Sequence, residues 1–216
     1  MIITFFIEIS LAIYAFIKSI KAKSDVGIVL ILVFLALFQL AEYQICEGSE
    51  ILSWARLGLF SITFLPILGY YVVTRLSKKS PLLIFGSFIA FSFAAFFILF
   101  PNSVNDVSCT GNYVMFDIRN NSYLFYGYYY FGFLLLAIYD AVRGINDPNT
   151  KDKIKDSLKW FIIGYLSFIL PLTLVYIFIP ITRLAVESVM CGFAVIFAII
   201  LTFKVAPIYH EYIKRK

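Results

Sequence analysis

Apolar residues fall along this chain in seven long blocks, at 3–20, 26–45, 54–76, 82–100, 123–142, 158–179 and 184–206, with short polar gaps between them. A helix needs roughly 20 mostly apolar residues to cross a bilayer, and each block approaches that length. Inside lipid a helix satisfies its own backbone N–H and C=O groups, so such blocks read as spanning helices. The pattern therefore predicts an all-α integral membrane protein: one seven-transmembrane-helix bundle over residues 1–216, with no soluble domain. Composition agrees, because 62% apolar and only 14% charged residues leave too little polar surface for a water-soluble shell.

Charge sets the expected orientation. Lys18, Lys21 and Lys23 follow the first block; Arg75, Lys78 and Lys79 follow the third. Arg143, Lys151, Lys153, Lys155 and Lys159 lie between the fifth and sixth, and Lys204, Lys214, Arg215 and Lys216 close the chain. The alternate gaps hold only Arg56, Arg119 and Arg183. By the positive-inside rule the basic set is cytoplasmic, which puts the N-terminus outside, the C-terminus in the cytoplasm and the protein in the cell membrane. The first block has no cationic start or small-residue cleavage site, so it reads as a retained helix. The formal net charge of +5 needs no nucleic acid to explain it, since an anionic inner leaflet attracts such residues. The bilayer is the expected partner, with a further protein partner conceivable at the cytoplasmic face.

The longest stretch outside the blocks runs from 101 to 122, too short for a catalytic or DNA-binding domain. Within it, 107–109 and 113–116 read as two short strands around a Thr110-Gly111-Asn112 turn, a small external hairpin. Cys109 in this hairpin and Cys46 beyond the second block fall on the same external face, a candidate disulfide against the alternative of two unrelated thiols. Cys191 reads as a packed apolar residue inside the seventh helix. Asn120-Asn121-Ser122 matches a glycosylation pattern that is common by chance.

Ionisable residues inside the blocks carry the candidate chemistry, because each costs at least ~2.5 kcal/mol near a helix centre and seeks a partner or water. Glu8, Gln39, Glu42, Arg56 and Glu187 all fall in the expected outer half. Gln39, Glu42 and Cys46 share one helix face, and Glu187 and Cys191 another. Three carboxylates with one Arg, or two if Arg183 folds inward, point to an outward-opening acidic cavity suited to a cation or amine. Tyr126 and Tyr130, within the run Tyr123, Tyr126, Tyr128, Tyr129 and Tyr130, would add hydroxyls and aromatic faces that favour a cationic group. Against this, Tyr is enriched at membrane interfaces in general, and Glu42 with Arg56 could be a structural ion pair. Asp140 and Lys204, at the expected inner ends, read as snorkelling groups or a mutual salt bridge.

Pro66 and Pro171 lie mid-span in the third and sixth blocks, each removing a backbone hydrogen bond and marking a candidate hinge. Gly58 to Pro66 weakly echoes Gly164 to Pro171, most simply by coincidence. Gly127, Gly132 and Gly164 read first as helix-packing points. His210 is the only histidine and is expected in the cytoplasmic tail, so no metal site, no cofactor and no His-assisted nucleophile is anticipated, and no enzyme. The helix count and course are similar to rhodopsin-like receptors and seven-helix sugar transporters, but their diagnostic motifs are missing.

The leading expectation is a receptor-like or sensor-like protein binding a small cationic or amphiphilic ligand in the acidic cavity. A small transporter or proton/cation pathway is the alternative, and a membrane scaffold or assembly subunit the weaker one.

Overall fold

A computed structural model describes residues 1–77, 82–110, 113–118, 122–178 and 185–214. Lys78, Lys79, Gly111, Asn112, Arg119, the Asn120-Asn121 pair, Arg183, Arg215 and Lys216 lie outside the described residues. The chain runs α1 (Ile2–Ala22), α2 (Gly27–Cys46), α3 (Ile51–Thr63), α4 (Leu65–Ser77) and α5 (Leu83–Leu99). A single 3-10 turn then leads into β1 (Val104–Cys109) and β2 (Val114–Ile118), followed by α6 (Ser122–Asn146) and α7 (Asp152–Phe178). Last come α8 (Val186–Ile200), a π turn (Leu201–Val205) and α9 (Ala206–Lys214). The elements coincide with the seven apolar blocks, α3 with α4 and α8 with α9 each forming one bent rod.

Five rods are long and apolar enough to cross a membrane: Ile2–Ala22, Gly27–Cys46, Ile51–Ser77, Asp152–Phe178 and Val186–Lys214. The other two depart for visible reasons. α5 has only 17 residues, and α6 carries its tyrosines in the first two turns, which lowers its hydropathy. Outward faces are mainly apolar, with Ile3, Ile84, Phe88 and Phe178 each more than two-thirds exposed. Water penalises such a surface and lipid does not, so this is the architecture of a membrane protein.

α2 and the α3–α4 rod form the centre, with 61% and 78% of their most apolar stretches buried, against 22% for α1. α1 packs on α2, α2 on α3, α4 on α6, and α7 on α8, while α8 returns to α1 and α2. α5 sits outside this ring, mainly on α3, and buries Gly86, Ala90, Ala94 and Phe97, with Gly86 against Ile67 of α4 and Phe133 of α6. The small residues Gly86, Ala90 and Ala94, at four-residue spacing, let the helix approach closely.

Prolines bend two rods in different ways. Pro66 has no N–H to give the Ile62 carbonyl, and the helix breaks just before it, where the Phe64 N–H reaches the Ser61 carbonyl at 3.4 Å. Pro207 follows the π turn, which absorbs the mismatch and lets the helix continue to Lys214. The expected end at 206 is therefore too early. α7 likewise starts at Asp152 rather than 158, because its lysine-rich first turns are helical outside the apolar block.

The strands pair antiparallel with Cys109 opposite Val114 and a bulge between Val104 and Asp106, starting three residues earlier than the sequence indicates. Val104, Val107, Val114, Phe116 and Ile118 are buried, so the hairpin is clamped to the ends of α2, α3 and α8.

Candidate functional site

α1 exposes most of its surface and buries Glu8, Ala12, Ala15 and Ser19, a single stripe at spacings of four, three and four. Glu8 is thus the one carboxylate on the face that meets α2. Gln39 and Glu42 come from the enclosed face of α2, and Glu187 with Ser188 from the first turn of α8. Glu8 is 0% exposed, Glu42 1%, Gln39 2% and Glu187 7%.

These side chains converge at the hairpin end of the bundle. Glu42 interacts electrostatically with both Glu8 and Glu187, and the Cys191 thiol lies within the field of all three carboxylates. The Ser188 hydroxyl hydrogen-bonds to Glu42 and accepts the Val114 N–H at 3.0 Å, tying the hairpin to the cluster. Thr4 donates to Gln39 Oε1 at 2.7 Å. Among the described residues, both Glu8 oxygens, Glu42 Oε1 and Gln39 Nε2 are buried without a hydrogen-bond partner.

A cavity of about 580 Å³ opens beside this cluster, between α6, α7 and α8. Tyr126 and Tyr130 from α6, Tyr176 from α7, and Met190 from α8 line it, and Glu187 is its charged group. It is mainly apolar. Gly127 and Gly132 also line it, and a Cβ on either would meet nothing within 4 Å. They make room for the cavity and are not the packing points expected of them. Gly164 is one, with the Phe197 ring against it.

The single acidic cavity expected from the sequence is therefore two adjoining features. Glu8, Gln39 and Glu42 are enclosed between α1 and α2, and Glu187, Tyr126 and Tyr130 face the open cavity. Glu187 belongs to both. The tyrosines divide as well: Tyr126, Tyr129 and Tyr130 are buried, whereas Tyr128 is 76% exposed in the manner of an interface residue.

Arg56 does not join the carboxylates. Its Nε donates to the Phe97 carbonyl at 2.9 Å and its Nη2 to that of Ile98, so it caps α5, whose last carbonyls have no intrahelical partner. Asp140 and Lys204 do not pair either: Asp140 is buried beside Tyr70, and the Lys204 ammonium sits 5.1 Å from the centre of the Trp160 ring. Cys46 and Cys109 are joined in a disulfide, Cα–Cα 5.3 Å.

Of the two candidate hinges, Pro66 lies at an actual break and Pro171 lies in a helix that stays continuous. The break is held by α6. Tyr129 donates its hydroxyl to the Thr63 carbonyl at 2.7 Å, and the Tyr126 hydroxyl is 3.2 Å from Thr63 Oγ1. Tyr126 thereby connects the cavity wall to the bend.

A polar knot at the opposite end of the bundle was not anticipated. Asp25 accepts the Tyr209 hydroxyl at 2.6 Å, the Tyr71 hydroxyl at 3.2 Å and the Gly27 N–H at 3.2 Å, and pairs with Arg75 at 3.4 Å. Ser24 hydrogen-bonds to His210 Nδ1. The available signal was an aspartate in a gap otherwise occupied by lysines, just ahead of a helix.

No protein-family model, curated protein or solved structure matches this chain.

Proposed function

We propose that this chain is a seven-span membrane protein, N-terminus outside, that binds a small amphiphile with a cationic or amine head in the cavity between α6, α7 and α8. The acyl or aromatic part would lie against the apolar walls, and the head would meet the Glu187 carboxylate and the surrounding tyrosine rings. One observation carries the reading: Glu187 is the charged group of a largely apolar cavity and is coupled to Glu42 behind it. A receptor-like or sensor-like role follows from the route onward, since Tyr126 lines the cavity and touches Thr63 at the bend of the α3–α4 rod. Occupancy that shifts Tyr126 would alter the bend, a two-state element of the kind switching needs.

The transport reading has one observation in its favour, the row of three carboxylates leading inward from the cavity. Beyond that row lies a narrow void lined mainly by apolar side chains such as Ile31, Leu35, Leu65 and Phe168, with Tyr130, Tyr165 and Cys191 as its polar groups and no charged one. No carboxylate continues the row into that void, and the binding reading is preferred.

Protein in nanodiscs is titrated with a single-chain quaternary ammonium carrying a photoreactive tail and with its uncharged analogue. The ammonium probe is expected to bind about tenfold more tightly and to label α6 and α8, and Glu187→Gln removes its advantage. Equal binding of the two probes, or no effect of Glu187→Gln, overturns the proposal.

A further inference from the structure

Glu8, Gln39 and Glu42 are buried between α1 and α2 with more hydrogen-bonding capacity than the protein fills. Both Glu8 oxygens, Glu42 Oε1 and Gln39 Nε2 lack partners among the described residues. The groups facing this pair are Gln39 from α2, Glu187, Ser188 and the Cys191 thiol from α8, and Thr4 and the Met1 amino group from α1. Three carboxylates thus meet at most one ammonium. No described lysine or arginine pairs with them, Arg56 being committed to α5.

Burying neighbouring carboxylates as free anions is unfavourable in a weakly polarisable interior, and a cation between them removes the penalty. We propose that Glu8 and Glu42, steadied by Gln39 and Ser188, form a binding site for an exchangeable monovalent cation, a proton or Na+, between α1 and α2. The donor set is hard oxygen, which suits either ion, and enclosure of both carboxyls leaves no space for an organic cation. As a proton, the ion makes one carboxyl an O–H donor to the other carboxylate. As Na+, it would take carboxylate oxygens and the Gln39 amide carbonyl. In both cases Gln39 Nε2, which has no partner in the structure, would be free to donate to a carboxylate oxygen. The site lies behind Glu187 and needs no ligand in the cavity.

The test is infrared difference spectroscopy on the full chain in neutral-lipid nanodiscs at neutral pH, in NaCl and in choline chloride of equal ionic strength. A protonated-carboxyl band present in both salts identifies the proton. A band that appears only when choline replaces Na+ identifies Na+. Either band must shift on labelling with 13C-carboxyl glutamate, a check made on the wild-type chain without relying on a variant to fold. Glu8→Gln and Glu42→Gln abolish it, and a band that survives both substitutions overturns the proposal. No protonated-carboxyl band in either salt, or a band untouched by glutamate labelling, overturns the proposal.

Discussion

A polar side chain inside an apolar helix is held by whatever partner the packing brings to it. Glu8, Gln39, Glu42 and Glu187 stand out because polar groups in apolar blocks are costly, and they do converge. Arg56 stands out by the same rule, yet its guanidinium reaches the carbonyls of Phe97 and Ile98. Helix C-termini and carboxylates are equivalent acceptors to an arginine, and only the path of α5 chooses between them. Arg56→Ala is expected to cost about 1.5–3 kcal/mol in chemical unfolding, the range for hydrogen bonds from a charged donor. Its effect should add to that of Glu42→Gln in a double-mutant cycle. A coupling energy above ~0.5 kcal/mol would mean that the two interact after all. At Gly69 an added Cβ would strike the hydroxyl end of the Tyr165 ring, which is itself buried. Gly69→Ala should destabilise by about 1–3 kcal/mol through overpacking, whereas Gly127→Ala should be nearly neutral in the same unfolding assay.

At the scale of elements, hydropathy located every rod but judged its ends by polarity. Lipid selects apolar residues only within the hydrocarbon, while a helix continues wherever its backbone bonds and side-chain contacts allow. α7 therefore begins six residues before the apolar block, and α9 runs on past Pro207. Tertiary contact holds that last helix in place: Tyr209 and His210 are buried, Tyr209 donates to Asp25, and Ser24 binds His210. The Asp25–Arg75 pair is partly exposed and contributes little alone, so the hydroxyl bonds to Asp25 dominate. Asp25→Ala should lose about 3 kcal/mol of local stability and make α9 the first site of proteolytic cleavage. Unchanged protection of α9 would assign its docking to packing alone. Side-chain hydroxyls likewise hold the bend at Phe64. Tyr129→Phe removes the bond to the Thr63 carbonyl, at an expected cost of about 1 kcal/mol, and spin-label distances between α3 and α4 should broaden.

For the whole molecule, the disulfide is the only covalent tie among the described residues, closing a 63-residue separation between α2 and the hairpin. Chain-entropy reasoning sets its contribution at about 4 kcal/mol for a loop of this size, an upper figure because helices already fixed in lipid have less freedom to lose. Replacing Cys46 and Cys109 together by Ala should lower the unfolding midpoint and loosen the hairpin from Ser188, seen as faster amide exchange at Val114. The proposed seven-span course has its own check. Cysteines placed at Thr110 and at Lys153 should react with an impermeant thiol reagent only from outside and only from inside, respectively. Labelling from the same side would refute the alternating path.

Periodic hydropathy and the distribution of lysine and arginine were enough, by themselves, to imply a helical membrane protein with polar groups gathered toward one end, because lipid acts on every residue in the same way whatever the helices do next. How those helices turn about their own axes was decided only by tertiary packing. Rotation by one residue moves a side chain about 100° around the helix. That rotation separates an enclosed Glu8–Glu42 pair from a cavity-facing Glu187, an α5-capping Arg56 from an ion-paired one, and a cavity floored by Gly127 and Gly132 from two glycines buried in contact.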